Sequence, residues 1–321
     1  MKRLFLNKDY SIFFALILLV SSGQAIAEPY AYITNQLDNT VSVIDANTNN
    51  VLKTITVTGK PVGVAVNNVK DQVYISTPNG GGFAVLDAKK LEKISVVEVG
   101  GASLGIAVDA TGERVFVADW YENTVSVFDT ERFKLIKTIQ VGKSPSGMMV
   151  SSDNRWLYVA NRVDDTISQI DLKQLKIRNT TKVGAHPFGL TVDKKGKRIY
   201  TANVESDDVT VLENTHLKRL ETVKVGSRPY ATSLALDDSL LFVTNQDDST
   251  VSVINTATLK VIAEIEVGDK PEGISTHPDD RHVYVANWFD SNVSVIDAQT
   301  LQVVDTIETG EGSRAFGLFF K

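Results

Sequence analysis

Short runs of β-branched and aromatic residues recur along the whole chain, separated by clusters of Gly, Pro, Asn and Asp. Thr40-Val-Ser-Val-Ile-Asp45, Val51-Leu-Lys-Thr-Ile-Thr-Val57, Pro61-Val-Gly-Val-Ala-Val66 and Val73-Tyr-Ile-Ser76 are four such runs in succession. Runs of this length bounded by turn residues predict β-strands. Several are apolar at consecutive positions, as in Val293-Ser-Val-Ile296. That pattern fits a strand covered on both faces, whereas a sheet with one wet face alternates.

The pattern repeats with a fixed period. Tyr32-Ile-Thr-Asn35 returns as Tyr74-Ile-Ser-Thr77, Phe116-Val-Ala-Asp119, Tyr158-Val-Ala-Asn161, Tyr200-Thr-Ala-Asn203, Phe242-Val-Thr-Asn245 and Tyr284-Val-Ala-Asn287, spaced 42 residues apart each time. Residues 28–321 number 294, seven times 42, so the repeats account for that stretch without a linker. Four strands per repeat of this length predict an all-β, seven-bladed β-propeller with four antiparallel strands per blade. The array opens on a Tyr-Ile-Thr-Asn strand and ends on Arg314-Ala-Phe-Gly-Leu-Phe-Phe320, in the register of Val62-Gly-Val-Ala-Val66. The C-terminal strand is therefore expected to supply the innermost strand of the blade begun by residues 30–58, a three-plus-one closure that removes an open sheet edge.

The Tyr-Val-Ala-Asn and Tyr-Ile-Thr-Asn cores, the Thr-Val-Ser-Val-Ile-Asp strand and turns such as Val141-Gly-Lys-Ser-Pro-Ser-Gly147 resemble the YVTN family of β-propeller repeats, found in YncE-type periplasmic propellers. The resemblance covers residues 28–321 and implies the propeller fold. Propellers of this general kind host binding proteins, lactonases, quinoprotein subunits and haem domains, so function has to be argued from the site.

Residues 1–27 read differently. Lys2, Arg3 and Lys8 precede the apolar run Ile12–Val20, and Ala25-Ile-Ala27 follows as a small-x-small motif, the pattern of a secretory signal peptide. The apolar run is shorter than the roughly 20 residues of a membrane-spanning helix. A soluble, monomeric, exported protein in the periplasm is expected. The chain carries a net charge of -6; residues 1–27 contribute +2, leaving -8 for the remainder. That balance argues against a surface that is wholly a phosphate-binding field. The absence of cysteine removes disulfides, thiolate metal sites and thiol nucleophiles.

Positions that repeat in every blade are explained by the blade, so candidate functional residues are those where one blade departs from its siblings. Asn35, Thr77, Asp119, Asn161, Asn203, Asn245 and Asn287 are expected to bond local backbone and shape the following turn. Asp45, Asp87, Asp129, Asp171 and Asp297, with Glu213 and Asn255 in the same register, are expected to do likewise.

The loops after the Asn register and those before the inner strand should share one face, and there the repeats diverge. Trp120, Tyr121, Arg162, Trp288 and Phe289 fall in the first set. Lys60, His186, Arg228 and Lys270 precede the inner strand, and Phe188, Tyr230, Glu272 and Arg314 stand just inside it. Aromatic planes and cations around a channel mouth suit a flat, anionic or extended ligand. Trp156 falls towards the opposite face and is expected to pack.

Catalytic motifs are not apparent. His186, His216, His277 and His282 lack the spacings that place two imidazoles on one metal, and no nucleophile elbow or phosphate loop occurs. Carboxylates near the mouth, Glu122, Asp164, Asp165, Asp247, Asp248 and Asp290, sit mostly in turn-forming runs, and Glu272 alone stands on an inner strand. No catalytic residue, metal ligand or cofactor is assigned. The expectation is a binding propeller that docks an envelope protein, a polymer or a small ligand at its mouth. Single-stranded nucleic acid, stacked on Trp120, Tyr121, Trp288 and Phe289, is an alternative. A redox, quinoprotein-like propeller or a lactonase is the enzymatic one.

Overall fold

The computed structural model describes residues 29–321; the signal-peptide reading of residues 1–27 lies outside them. Six sheets have four antiparallel strands and one has three. The three-stranded sheet holds Tyr30–Asn35, Thr40–Asp45 and Asn50–Thr56. The next runs Val64–Asn67, Gln72–Thr77, Gly82–Asp87 and Glu92–Glu98, and five more of the same order complete a seven-bladed propeller. A single 3-10 turn, Pro78–Gly80, is the only helical element among the described residues. No helix there is long and apolar enough to cross a membrane.

Burial follows position within the blade. Tyr30–Asn35 is buried throughout, because it lies between neighbouring sheets, whereas Asn50–Thr56 is exposed except at Ile55. The repeated Tyr or Phe of the second strand is buried in every blade: Tyr32, Tyr74, Phe116, Tyr158, Tyr200, Phe242 and Tyr284. These rings carry the largest apolar area of the repeat and pack between blades.

The C-terminal segment closes the ring, with one difference from expectation. Arg314 N donates to Thr34 O at 2.9 Å, Tyr32 N to Phe319 O at 2.9 Å and Tyr30 N to Lys321 O at 3.0 Å. Between these bonds the segment leaves its blade. Val64 N donates to Phe316 O at 2.7 Å, joining the inner strand of the following blade instead. Ala315 (φ 49°) and Gly317 (φ 102°) make the detour. A Cβ on Gly317 would stand 2.4 Å from Val64 O, so glycine is required both for the angle and for the approach. The closing strand thus stitches two blades rather than completing one regular sheet.

The turn registers differ in mechanism. Asp87 Oδ1 accepts from the amides of Lys89 and Lys90, and Asp171 Oδ1 from Lys173 and Gln174, as expected of turn formers. The Asn register behaves otherwise. Asn35 Nδ2 donates across the hairpin to Thr40 Oγ1 and Ser42 Oγ, and Asn161, Asn203, Asn245 and Asn287 repeat that pattern with their own third strands. The last strand residue points between two strands, so its amide reaches side chains sideways instead of turn backbone ahead. Asp119 takes the expected turn amides, those of Tyr121 and Glu122, and Thr77 Oγ1 donates to local backbone at Gly82 O.

Candidate functional site

The loops that follow the second strands and those that lead into the inner strands do lie together. Arg162 N donates to Ser144 O, Val204 N to His186 O, Gln246 N to Arg228 O and Trp288 N to Lys270 O. Side chains reinforce the pairing: Asp165 Oδ1 accepts from His186 N and Asp207 Oδ1 from Arg228 N, both at 2.9 Å. Asp164, Asp248 and Asp290 likewise accept from Lys143, Ser227 and Asp269 amides. These carboxylates brace the rim. The rim residues Lys60, Ser144, His186, Arg228 and Lys270 all have φ between 50° and 58°, left-handed backbone that an L residue adopts at a cost of about 1 kcal/mol or more.

One register of the inner strands holds Val62, Leu104, Ser146, Phe188, Tyr230, Glu272 and Arg314, one from each blade, of which Leu104, Phe188, Tyr230 and Arg314 reach the mouth. Phe188 and Tyr230 lie 4.3 Å apart between ring centres, and Phe316 packs against both, at 4.8 and 5.5 Å. The three rings pack together beside a cavity lined by inner-strand residues such as Gly63, Gly105, Gly147, Gly189 and Ile274. Glu272 is only 2% exposed. Its carboxylate accepts from Arg314 Nε at 2.5 Å and from Gln246 Nε2 at 2.7 Å, and Arg314 Nη1 also reaches Gln36 Oε1 at 2.9 Å. Burial pushes the Glu272 carboxyl above its ordinary value while Arg314 opposes the shift. Burial, followed by the nearby Glu272 charge, also raises the Tyr230 phenol.

Above this floor is a cup of 210 Å³, lined by Pro78, Ala102, Leu104, Trp120, Tyr121, Phe188, Tyr230 and Arg314. Arg162 lies over the Trp120 ring at 5.6 Å, and Tyr121 is 74% exposed. Five of the candidate residues therefore line one concavity, and Arg162 borders it.

The other candidates go elsewhere. Arg228 pairs with Glu205 at 2.9 Å and approaches Asp247 at 3.6 Å, while Lys270 pairs with Asp247 at 2.8 Å. Trp288 and Phe289 adjoin each other outside the cup, at 6.1 Å. Trp288 is half-buried, and a Cβ on Gly312 would stand 3.2 Å from its Nε1, so the indole tucks against the closing loop. Phe289 is 66% exposed. Trp156 is half-buried in an inter-blade cluster beneath Arg155.

Two features were missed. Phe316 is in core register with Val64, Ile106 and Ile274, and nothing local marks it as an axial plug. His277 and His282 meet at one carboxylate, Asp279, although no recognised motif joins them. Spacing rules for strands and helices do not describe a tight turn, which brings its two ends together.

A family model described as "Lactonase, 7-bladed beta-propeller" matches residues 131–216, and one described as "YNCE-like beta-propeller" matches residues 229–312. Together with the seven blades they support a YncE-type propeller repeat protein. No curated protein matches the chain significantly. Among solved structures, Kuenenia stuttgartiensis hydrazine synthase aligns with TM-score 0.77 at 19% identity, covering 83% of this chain and 91% of that one. A functionally unknown protein from Desulfotomaculum acetoxidans gives TM-score 0.77 at 14% identity over 90% of this chain and 99% of its own. The dihydro-heme d1 dehydrogenase NirN in complex with DHE gives 0.69 at 14% identity, covering 88% and 73%. At these identities the likeness is one of fold.

Proposed function

We propose that this protein is an exported, periplasmic binding propeller that acts without chemistry of its own and holds a flat or apolar group, bearing an anionic substituent, in the cup at its mouth. The convergence of Trp120, Tyr121, Phe188 and Tyr230 with Arg314 on one concavity carries this reading. Aromatic walls take the planar part, and the Arg162 guanidinium, which lies over Trp120 and has no carboxylate partner among the described ion pairs, takes the anion, since Arg314 is held by Glu272. The occupant is a small ligand or a side chain presented by an envelope protein or polymer, since 210 Å³ admits one group rather than a strand of them.

An extended polyanion is the weaker alternative, because Arg228 and Lys270 are already engaged by Glu205 and Asp247. The match to a lactonase-type family model supports a second reading, hydrolysis of a lactone bound in the same cup. The buried carboxylate of Glu272 is committed to Arg314 and Gln246, which favours binding over acid–base work.

Titration with anilinonaphthalene sulfonate, a flat aromatic anion, tests the reading. Saturable 1:1 fluorescence enhancement that Trp120→Ala abolishes supports it. Failure to bind, or binding indifferent to Trp120 and Arg162, overturns it, and turnover of an aldonolactone would replace it with the hydrolytic one.

A further inference from the structure

On the face opposite the mouth, a tight turn joins Pro271–Thr276 to His282–Asn287. Its backbone is closed by His277 N donating to His282 O at 2.8 Å and Asp280 N to His277 O at 2.9 Å. The Asp279 carboxylate lies between two imidazoles: Oδ1 is 3.0 Å from His277 Nδ1, and Oδ2 is 2.6 Å from His282 Nδ1. One donor atom from each of the three residues falls within 4.8 Å of the others. We propose that His277, Asp279 and His282 bind a divalent transition cation of the zinc type, with solvent completing its coordination.

Four observations carry this assignment. Tetrahedral zinc with bonds of about 2.0–2.1 Å holds its donors about 3.3 Å apart, so the two nitrogen–oxygen separations of 3.0 and 2.6 Å would open slightly while the group, now within 4.8 Å, draws in. Two imidazole nitrogens and a carboxylate oxygen form a borderline donor set that suits zinc over magnesium or calcium, which prefer all-oxygen sites. The positive groups nearest the turn are engaged, Arg281 with Asp297 and Lys194 with Asp280, so they do not compete for the Asp279 carboxylate.

The fourth is a mismatch at His277. Asp279 N donates to His277 Nδ1 at 3.1 Å, which places a lone pair on that nitrogen, yet Asp279 Oδ1 stands 3.0 Å from it. Asp279 Oδ1 also accepts from the amides of Arg281 and His282, so at His277 two hydrogen-bond acceptors face each other with no proton between them. Protonating the ring satisfies the carboxylate but loses the backbone bond, whereas a cation shared by nitrogen and oxygen removes the repulsion without a proton. The ring's other nitrogen, Nε2, is buried with no hydrogen-bond partner, so its polar engagement is all on the Asp279 side.

The site would act on ring closure. His277 stacks on Tyr284 at 6.2 Å and meets Phe320 edge-on at 5.4 Å, so a cation that fixes this imidazole stiffens the bed on which the C-terminal strand rests. A ligand held only by the folded state raises its stability by mass action.

The test uses the full chain without a polyhistidine tag, with Zn2+ as probe and Mg2+ as control, followed by equilibrium dialysis with metal analysis and by thermal melting. The expected result is one zinc per chain and a raised Tm that a chelator reverses. His282→Ala, whose ring is partly exposed, should melt like the parent without metal and bind zinc at least about tenfold more weakly, the cost that even an outer-shell partner carries. No stoichiometric uptake, or uptake unchanged in His282→Ala, overturns the assignment.

Discussion

Arg314 and Glu272 occupy the same register of adjacent blades, 42 residues apart, and meet as a buried ion pair with Nε to Oε2 at 2.5 Å. Positions related by the repeat, which in an exact repeat would carry one residue, here carry opposite charges. Removing one partner strands the other. Arg314→Ala should destabilise the fold by about 3–5 kcal/mol, whereas Glu272→Gln with Arg314→Met should restore most of the loss. Chemical denaturation of the single and double variants measures both; a double-variant loss equal to the sum of the two single losses would show that the pair is not coupled.

Closure makes the chain end a stability determinant. Phe319 is fully buried, so Phe319→Ala should cost about 3–5 kcal/mol. Deleting residues 314–321 should lower Tm far more than shortening any rim loop. A truncated protein with an unchanged melting curve would refute the closure.

The two mouth tryptophans should separate. Trp120 lines the cup and is covered by Arg162, so Trp120→Ala should weaken binding of a flat anion while leaving Tm nearly unchanged. Trp288 tucks against the closing loop, so Trp288→Ala should cost about 1–3 kcal/mol and spare binding. Melting and titration of both variants would show whether the roles are reversed.

Rim carboxylates should hold polyanions off. Asp247→Asn frees Lys270 and relieves Arg228 of one partner, so binding of single-stranded oligonucleotide should tighten and its salt dependence steepen by about 0.7 in log–log slope for each phosphate gained. Because these pairs are exposed, stability should change by no more than about 1 kcal/mol.

Acid should probe one outer-face pair. The side-chain hydrogen bond from Arg281 is the main reason that the Asp297 carboxyl falls from 3.8 to about 2. A depressed carboxyl contributes stability that is fully present above its unfolded value and is lost as pH falls through its folded one. The parent should lose this contribution between pH 3.8 and about 2, and Arg281→Ala should flatten that part of the stability curve.

The blades were legible because each repeats its own evidence: a 42-residue period, four β-branched runs and a fixed Tyr or Phe leave one architecture. The rim was legible as a set of loops, and five of its divergent residues do share a cup. What could not be read was which cations are free. Arg228 and Lys270 look alike in sequence to Arg162, and only the folded rim sets Glu205 and Asp247 beside the first two. Phe316 was hidden for the opposite reason, since its register is that of ordinary core residues and its function at the axis depends on the turn forced by Ala315 and Gly317. The His277–Asp279–His282 group escaped because its residues meet through a turn rather than along a regular element.

The stitched closure also sets an order of events during synthesis. Tyr30 and Tyr32 wait for Lys321 and Phe319, made long after them, and Val64 in the next blade waits for Phe316. Until then the sheet of Tyr30–Asn35, Thr40–Asp45 and Asn50–Thr56 keeps an unpaired inner edge, the kind of edge that recruits foreign strands. Bringing together segments nearly three hundred residues apart is a late and slow step for a growing polypeptide. The first blade to be made is therefore the last to be finished, and a chain released early would expose that edge rather than lose a blade.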